Sequence, residues 1–209
     1  MANELEELQR LAEAGDARAQ YELGLAYDNG GESEGTAAVA EREPGKAVQW
    51  YRLAAEQGHG DAQLHLGLMY DAGDGVAQDE AAAAEWYRRA AGQGNADAQV
   101  NLGLMYLNGT GVDQNDSAAV QCFRMAAEAG HPKGQFNLGA LLYNGVEGEP
   151  DLVAIYQWWM LAALQGHPAA QQNLEMLGAQ LDATQMAAAQ QAVADMMQAQ
   201  RFAEGSAAD

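Results

Sequence analysis

Three histidines share one position of a repeating pattern, and histidine is the side chain that most often binds metals or moves protons near neutral pH. They are His59, His131 and His167, and Asn95 takes the remaining slot. Repeat geometry spreads equivalent residues along the chain, so these side chains cannot converge on one metal ion. We therefore expect them to have polar roles at helix starts. His65 stands alone on a predicted helix and indicates no chemistry by itself.

Two glycine-containing segments have part of the character of ion-binding or phosphate-binding loops. Residues 71–75, Asp-Ala-Gly-Asp-Gly, lack the spacing of a calcium loop and its closing glutamate. Residues 109–111, Gly-Thr-Gly, follow a predicted helix rather than a strand, which argues against a phosphate loop. The order of residues supports no Ser/His/Asp or Cys/His set, and the single cysteine, Cys122, is expected to pack in the core. The sequence therefore predicts a protein with no catalytic residues, cofactor or metal.

The charge balance excludes several classes of partner. The chain has 209 residues, with 30 Asp and Glu against 10 Lys and Arg, and a formal net charge of −20. Sequence-independent binding to nucleic acid needs basic side chains that face the phosphates, and docking on anionic membranes needs the same charge. We therefore expect neither nucleic acid nor direct membrane insertion. A hydrophobic content of 48% argues against a disordered chain.

The N-terminal residues do not have the pattern of an export signal. The chain starts Met-Ala-Asn-Glu-Leu-Glu-Glu, with neither a basic start nor an apolar core. The longest apolar uncharged run, residues 152–164, is too short to span a bilayer. The sequence favours a cytoplasmic protein, with the periplasm as the alternative if a leader has been removed.

The elements that would position any site recur along the chain. Leu-Gly pairs begin at residues 23, 66, 102 and 138, so they lie 43, 36 and 36 residues apart. Tyr51, Tyr87, Phe123 and Trp159 recur every 36 residues. Apolar residues follow a helical period, which predicts two helices per repeat, here called helix A and helix B. The fold class predicted is all-α, an α/α solenoid of helix-turn-helix repeats.

Glycine recurs inside helix A, although it costs about 1 kcal/mol relative to alanine at such a position. The recurrence predicts a close helix–helix contact that no side chain would fit. Small residues of helix B, such as Ala90 and Ala91, are expected to permit this approach. The glycines concerned are Gly24, Gly67, Gly103 and Gly139.

The pattern divides the chain into four parts. Residues 1–15 are expected to form an N-terminal capping helix, and residues 16–166 four repeats, the first with an acidic insertion at 31–43. Residues 167–204 are expected to form C-terminal capping helices, and residues 205–209 a flexible tail. Asp182, followed three residues later by Gln185, is typical of a capping box.

These residues together resemble the SEL-1-like repeat family of tetratricopeptide-like solenoids. The second repeat carries Ala62-Gln63, Leu66-Gly67, Gly75-Val76 and Trp86-Tyr87 at the spacing of the family pattern. The resemblance covers about residues 12–175, with Cys122-Phe123 in place of Trp-Tyr as one departure. It implies a right-handed superhelix that binds other proteins and usually has no catalysis of its own.

The resemblance also implies where a partner would bind, because the A helices of the family line a concave groove. Their outward positions here form a largely apolar row, which suits an amphipathic helix or an extended segment of another protein. The alternative is that superhelical curvature buries most of this row. The predicted groove residues are Tyr21, Leu25, Asp28, Leu64, Leu68, Asp71, Val100, Leu104, Leu107, Phe136, Ala140 and Tyr143.

The acidic insertion suggests a second surface. Glu32, Glu34, Glu41 and Glu43 can form an acidic patch for a basic partner, or they can serve solubility alone. The function predicted is a non-catalytic adaptor that binds a protein segment in the groove. The alternative is a bacterial immunity protein or regulator whose acidic surface blocks a basic or membrane-active toxin. An enzyme, or an acidic mimic of DNA, would need arrangements of titratable groups that the sequence does not establish.

Overall fold

The computed structural model describes residues 2–30 and 41–206, with side chains described for residues 5–30 and 41–198. Within these ranges the chain forms eleven α-helices and no strand, which confirms the all-α prediction. Glu32 and Glu34 of the predicted acidic patch, and residues 207–209 of the predicted tail, lie outside the described residues.

The helices have similar lengths from α2 to α9, as the repeat predicts. The longer described connections are residues 73–79, residues 109–115 and Asn144 to Asp151. In chain order the helices are α1 (Ala2–Glu13), α2 (Ala17–Asn29), α3 (Pro44–Glu56), α4 (Gly60–Ala72), α5 (Glu80–Gly92), α6 (Ala96–Asn108), α7 (Asp116–Glu128), α8 (Pro132–Tyr143), α9 (Leu152–Leu164), α10 (Pro168–Gly178) and α11 (Ala183–Ser206).

The chain divides into two compact units, residues 1–115 and 116–209. In the first unit each helix from α1 to α5 packs against the next one along the chain. In the second unit α8 packs between α7 and α9, and both α10 and α11 pack against α9. Each helix buries its apolar face against such neighbours, because a single helix pair is too small to form a core alone.

Polar side chains cap the starts of the repeat helices. The caps accept a hydrogen bond from the main-chain N–H three residues later, with donor–acceptor distances from 2.7 Å to 3.4 Å. This confirms the helix-start role expected for two of the three equivalent histidines. His167 stands at the same position before α10 but makes no side-chain cap bond. The capping residues are Asp16, His59, Asp79, Asn95, His131 and Asp151.

The ends of two helices also follow the sequence signals. Gly73 ends α4 with φ at 69° and donates its N–H to the Met69 carbonyl, a left-handed cap that glycine adopts without strain. Asp182 and Gln185 exchange hydrogen bonds of 2.8 Å and 2.9 Å before α11, which confirms the capping box. α11 continues through Ser206, so the expected tail at residues 205–209 begins inside this helix.

The close contact expected at the recurring glycine is present, but its partner differs from the prediction. A Cβ atom built on Gly67 would lie 2.7 Å from ring carbons of Tyr87. The nearest atoms therefore belong to the aromatic ring of helix B, and not to the alanines Ala90 and Ala91. The ring needs the space because it is large, flat and 0% exposed. The same contact pairs Gly24 with Tyr51 and Gly139 with Trp159.

The aromatic rings at the 36-residue spacing form the centres of the cores. Tyr51 and Leu66 are fully buried in the cluster of the first unit, and Trp159 and Leu177 are buried in a cluster of the second. Cys122 is 5% exposed, which confirms its predicted place in the core.

Candidate functional site

The helices α2, α4 and α6 are the A helices of the first unit, and one side of them remains open. Leu68 on α4 and Leu104 on α6 occupy the same repeat position, and they are 41% and 38% exposed. Both side chains are therefore accessible to another molecule. We call this surface the A-helix face, formed by Tyr21, Leu25, Leu64, Leu68, Asp71, Leu104 and Leu107, all exposed or half-buried.

One predicted groove residue of the first unit is not accessible. Val100 is 3% exposed, so it offers no surface to a partner. The start of α6 buries Ala98, Gln99 and Val100 in succession, while Asp97 in the same turn stays exposed. Val100 therefore packs against neighbouring helices and does not line the predicted groove.

In the second unit the corresponding residues pack against their own core. Phe136 stacks on His167 with ring centroids 4.2 Å apart, and Tyr143 lies 5.6 Å from the Trp159 ring. Ala140 contacts the same buried cluster. These three side chains are half-buried, so their main contacts are internal.

Aromatic and imidazole rings form a cluster along α2, α3 and α4. Tyr21 stacks on His59 with centroids 4.6 Å apart, and His65 stacks on Tyr51 at 5.1 Å. Burial raises the pKa of Tyr51 and lowers that of His65, while the charge of Asp28 opposes part of the shift at His65. This cluster was not predicted, because its members come from three helices and the spacing of each histidine along the chain does not show which rings meet.

Asp28, also predicted as a groove residue, is bound by an arginine of its own chain. The Arg42 guanidinium donates from Nη2 to Asp28 Oδ1 at 2.8 Å and from Nε to the Asp28 main-chain oxygen at 2.7 Å. The same guanidinium pairs with Asp74, and these hydrogen bonds raise the pKa of Arg42. Tyr51 donates its hydroxyl to Asp28 Oδ2 at 3.4 Å. Asp28 is therefore not open to a partner, contrary to the prediction.

Asp71 takes the position of Asp28 in the next repeat, and its surroundings differ. It lines a cavity of about 140 Å³, and no arginine or lysine among the described residues forms an ion pair with it. The nearby Tyr87 hydroxyl is buried and lies close to the side chains of Asp71 and Asn101. Burial first, and the charge of Asp71 second, raise the pKa of Tyr87. The other lining residues are Asn101, Leu104, Met105, Asn108 and Thr110.

A second cavity lies in the other unit, at the connection between α8 and α9. It has a volume of about 270 Å³, and the wall includes Trp158 and Asp151. Arg124, also in the wall, is paired with Glu147. The charges there are thus largely satisfied within the chain.

The described part of the predicted acidic patch is divided between open and paired side chains. Glu41 is exposed, whereas Glu43 Oε1 accepts a hydrogen bond from Lys46 Nζ at 2.9 Å. The patch as a whole stays a prediction.

Buried glutamines link successive repeats through hydrogen bonds. This role was not predicted from the sequence. Gln63 Nε2 donates to the Ala55 carbonyl at 3.0 Å, and Gln63 Oε1 accepts from Gln93 Nε2 at 2.7 Å. The recurrence of Gln at residues 20, 63, 99 and 135 was the feature of the sequence from which these links could have been predicted. Gln99 keeps the bond to a main-chain carbonyl, but its Oε1 has no partner among the described atoms. The same pairs join Gln20 to Gln57 and Gln135 to Gln165.

The described ranges contain neither a metal-binding cluster nor a membrane-spanning helix. Residues 2–30 and 41–206 contain no group of three or more His, Cys, Asp or Glu side chains arranged to hold a metal ion. None of the helices in these ranges combines the length and apolar character needed to cross a membrane.

The helices and their connections define an α/α solenoid repeat protein. The Sel1 repeat model matches residues 17–59, 60–95, 96–131 and 132–167. The chain therefore belongs to the Sel1 repeat family, as the resemblance indicated. Proteins with Sel1 repeats generally mediate protein–protein interactions and are typically non-catalytic scaffolds.

Solved structures support the same fold. A Sel1 repeat protein from Oxalobacter formigenes is 34% identical, with a TM-score of 0.69 over 80% of this chain and 64% of that one. The protective antigen c5321 of uropathogenic Escherichia coli is 29% identical, with a TM-score of 0.59 over 91% of this chain and 47% of that one. This chain thus spans less than two thirds of either protein.

A more distant likeness is to the immunity protein Pa5087 of Pseudomonas aeruginosa, at 21% identity. Its TM-score is 0.38 over 74% of this chain and 67% of that one, so it carries no functional argument. No match is found among the curated proteins.

Proposed function

We propose that this chain is a non-catalytic adaptor that holds a segment of another protein on its A-helix face. The observation that carries the proposal is the paired exposure of Leu68 and Leu104, which are 41% and 38% exposed on adjacent A helices. Exposing two large apolar side chains at equivalent positions has a cost in water, which a bound apolar segment would remove. The general role of Sel1 repeats supports the same function.

The chemistry of this face indicates the character of the bound segment. The two leucines suit apolar side chains of an amphipathic helix or an extended peptide. The carboxylate of Asp71 and the amide of Asn101 lie beside Leu104, so polar groups of the same segment can be paired rather than buried alone.

The experiment compares two double variants in affinity capture from a lysate of the source cell. Leu68→Ala with Leu104→Ala removes the exposed leucines of the A-helix face. Leu11→Ala with Leu53→Ala is the matched control, because those leucines are 38% and 44% exposed on α1 and α3. We expect the partner to be lost with the first pair and retained with the second, while helicity and melting stay unchanged. Capture that survives in the first pair would contradict the proposed surface.

A second candidate function rests on the net charge of −20. An acidic antagonist of a basic or membrane-active toxin would bind mainly by charge, because summed charge speeds encounter at low ionic strength. Affinity capture at about 50 and about 300 mM salt distinguishes the adaptor from the acidic antagonist, because the screening of charges differs strongly over that range. A basic partner lost at high salt supports the antagonist, and a partner retained at both concentrations supports the apolar face.

A further inference from the structure

We propose that the cavity at the connection between α8 and α9 is a binding site for the side chain of one tyrosine from another protein. The cavity is formed by residues of the second unit, whereas the A-helix face belongs to the first. The inference therefore goes beyond the proposed function and does not depend on it. Its basis is a comparison of equivalent positions in successive repeats, two of which have a tyrosine of their own at this place.

In two repeats an arginine of helix B binds a tyrosine of the following helix A. Arg52 donates from Nη2 to the Tyr70 hydroxyl at 2.7 Å, and its guanidinium lies 5.8 Å from the centroid of the same ring. Arg88 and Tyr106, which stand 36 residues further along, are also hydrogen-bonded through their side chains. This repeat position thus combines a guanidinium that donates with a phenol that accepts.

The next pair of helices keeps the arginine but lacks the tyrosine. Arg124 and Leu142 stand at the positions of Arg88 and Tyr106, and Gly148 stands where the second and third repeats have valine. Both replacements remove side-chain volume. Arg124, Leu142 and Gly148 all line the cavity of about 270 Å³. We infer that the cavity takes the place of the tyrosine and valine side chains that are missing here.

The loop after α8 leaves this cavity open to another molecule. In the preceding repeat the equivalent loop lies so close to the start of α5 that a Cβ atom on Gly111 would overlap the main chain of Glu80. Glu147 stands at this position in the next loop, and its side chain does not allow the same approach. The Arg124 and Glu147 side chains are 38% and 49% exposed, so the cavity can be reached from solvent.

The ion pair between Arg124 and Glu147 does not prevent the binding of a phenol. Glu147 Oε2 accepts a hydrogen bond from Arg124 Nη2 at 2.5 Å, and a guanidinium carries five N–H donors. Arg88 binds a carboxylate and a phenol together, because it is hydrogen-bonded to both Glu85 and Tyr106. Arg124 can therefore donate to a phenol oxygen while it keeps its own ion pair.

The rest of the wall favours a neutral aromatic ring. Trp158 and Leu142 supply apolar surface on which a ring can pack. Glu149 and Asp151 lie in the same wall, so an anionic ligand would be repelled. The volume of about 270 Å³ is below the range of about 300–1,000 Å³ that is typical of small-molecule pockets. It therefore suits a single side chain better than a cofactor.

The test compares three probes on the full chain by NMR titration of the Trp158 indole N–H. Acetyl-Gly-Tyr-Gly-amide and acetyl-Gly-Phe-Gly-amide differ by one hydroxyl group, and p-cresol is a phenol without a peptide. We expect the tyrosine peptide to bind with a Kd on the order of 1 mM, because only one small side chain is held. The phenylalanine peptide should bind about tenfold more weakly, because it cannot accept a hydrogen bond from Arg124.

Three variants locate the site. Leu142→Tyr supplies the tyrosine of the other repeats from within the chain, so it should abolish binding of the tyrosine peptide and raise the Tm by about 2–4 °C. Met176→Tyr adds the same side chain at a 45% exposed position of α10 and should leave binding unchanged. Arg124→Gln should bind the tyrosine and phenylalanine peptides equally. Thermal melting verifies that each variant is folded.

Several results would overturn the tyrosine site. These are no binding of the tyrosine peptide to the native chain, equal binding of the two peptides, undiminished binding by Leu142→Tyr, or an unchanged tyrosine preference in Arg124→Gln. Binding of p-cresol without binding of the tyrosine peptide would also reject it, because the cavity would then admit free phenols only. The A-helix face is judged separately by the leucine variants in the capture experiment, and those variants leave this cavity unaltered.

Discussion

Gly67 of α4 and Tyr87 of α5 are in direct contact, so closely that a Cβ on Gly67 would lie 2.7 Å from the ring. The glycine and the aromatic residue are the two most regular markers of the repeat. Their contact explains why both recur, because the rings of Tyr51, Tyr87 and Trp159 each fill the gap left by a glycine of the preceding helix. The packing of helix A on helix B in each such pair depends on this absence of a side chain.

The contact predicts a large cost for a small substitution. Gly67→Ala should lower the free energy of unfolding by about 1–3 kcal/mol, because the added methyl group overlaps a buried ring. Gly60→Ala in the same helix is the control, since its Cβ would meet nothing nearer than 3.7 Å. That control should be neutral or stabilising by up to about 1 kcal/mol through helix propensity. Urea unfolding measures both, and equal stability of the two variants would disprove the packing role.

The glutamine pairs predict a second difference. Gln93→Ala removes the donor to buried Gln63 Oε1, now 2.7 Å away, and leaves that oxygen unpaired. We expect a loss of about 1–3 kcal/mol. Gln49→Ala changes an exposed glutamine of α3 and should alter stability by less than about 0.5 kcal/mol. The comparison is made by chemical unfolding at one pH, and an equal response would show that the pair contributes nothing.

The same substitution at the two equivalent aspartates should have opposite effects. Asp28→Asn weakens the ion pair with Arg42 and should destabilise the fold by up to about 1 kcal/mol. Asp71→Asn removes an unpaired charge from a helix C-terminus and should stabilise by about 0.3–1 kcal/mol. Thermal unfolding at low ionic strength measures whether each substitution raises or lowers the stability. A loss of stability in both variants would mean that Asp71 is already paired within the chain.

How much the sequence predicts depends on whether a feature is local. The helices, the capping residues and the capping box at Asp182 follow from residue types a few positions apart. The partner of Gly67 did not follow, because spacing along the chain does not say which face of helix B meets the glycine. For that reason the prediction that Ala90 and Ala91 contact the glycine was wrong.

The site was predicted in outline only. Leu68 and Leu104 are exposed as expected, since repeat position alone fixes their direction. The ion pair between Asp28 and Arg42 joins α2 to a residue of the insertion, and the repeat period gives no information about the insertion. Val100 is buried beside Ala98 and Gln99 by tertiary packing, which the spacing of apolar residues along α6 does not indicate.

Burial of His65 makes stability depend on pH. Its folded-state pKa lies below the ordinary value of 6.5, so the unfolded chain binds a proton more readily than the folded chain. Stability should therefore fall as pH decreases through 6.5 and below. Asp28 and Asp61 oppose part of the shift, so the slope stays below the limit of about 1.4 kcal/mol per pH unit for one group.

His65→Phe isolates this contribution, because phenylalanine keeps a ring beside Tyr51 but does not titrate. Its stability should change less than that of the native chain between about pH 8 and about pH 5, the range in which histidine titrates. Urea unfolding across this range provides the comparison. Parallel curves for the two proteins would mean that His65 has the same pKa when folded and unfolded.

The central claim is that the A-helix face holds a segment of another protein, and site-specific photo-crosslinking in the source cell tests it most directly. A photoreactive amino acid replaces Leu68 or Leu104 in turn, and Leu53 on α3 serves as the control at 44% exposure. The account expects positions 68 and 104 to crosslink to the same protein, and position 53 to give none of that product. Crosslinks to a partner from position 53, with none from positions 68 and 104, would contradict it.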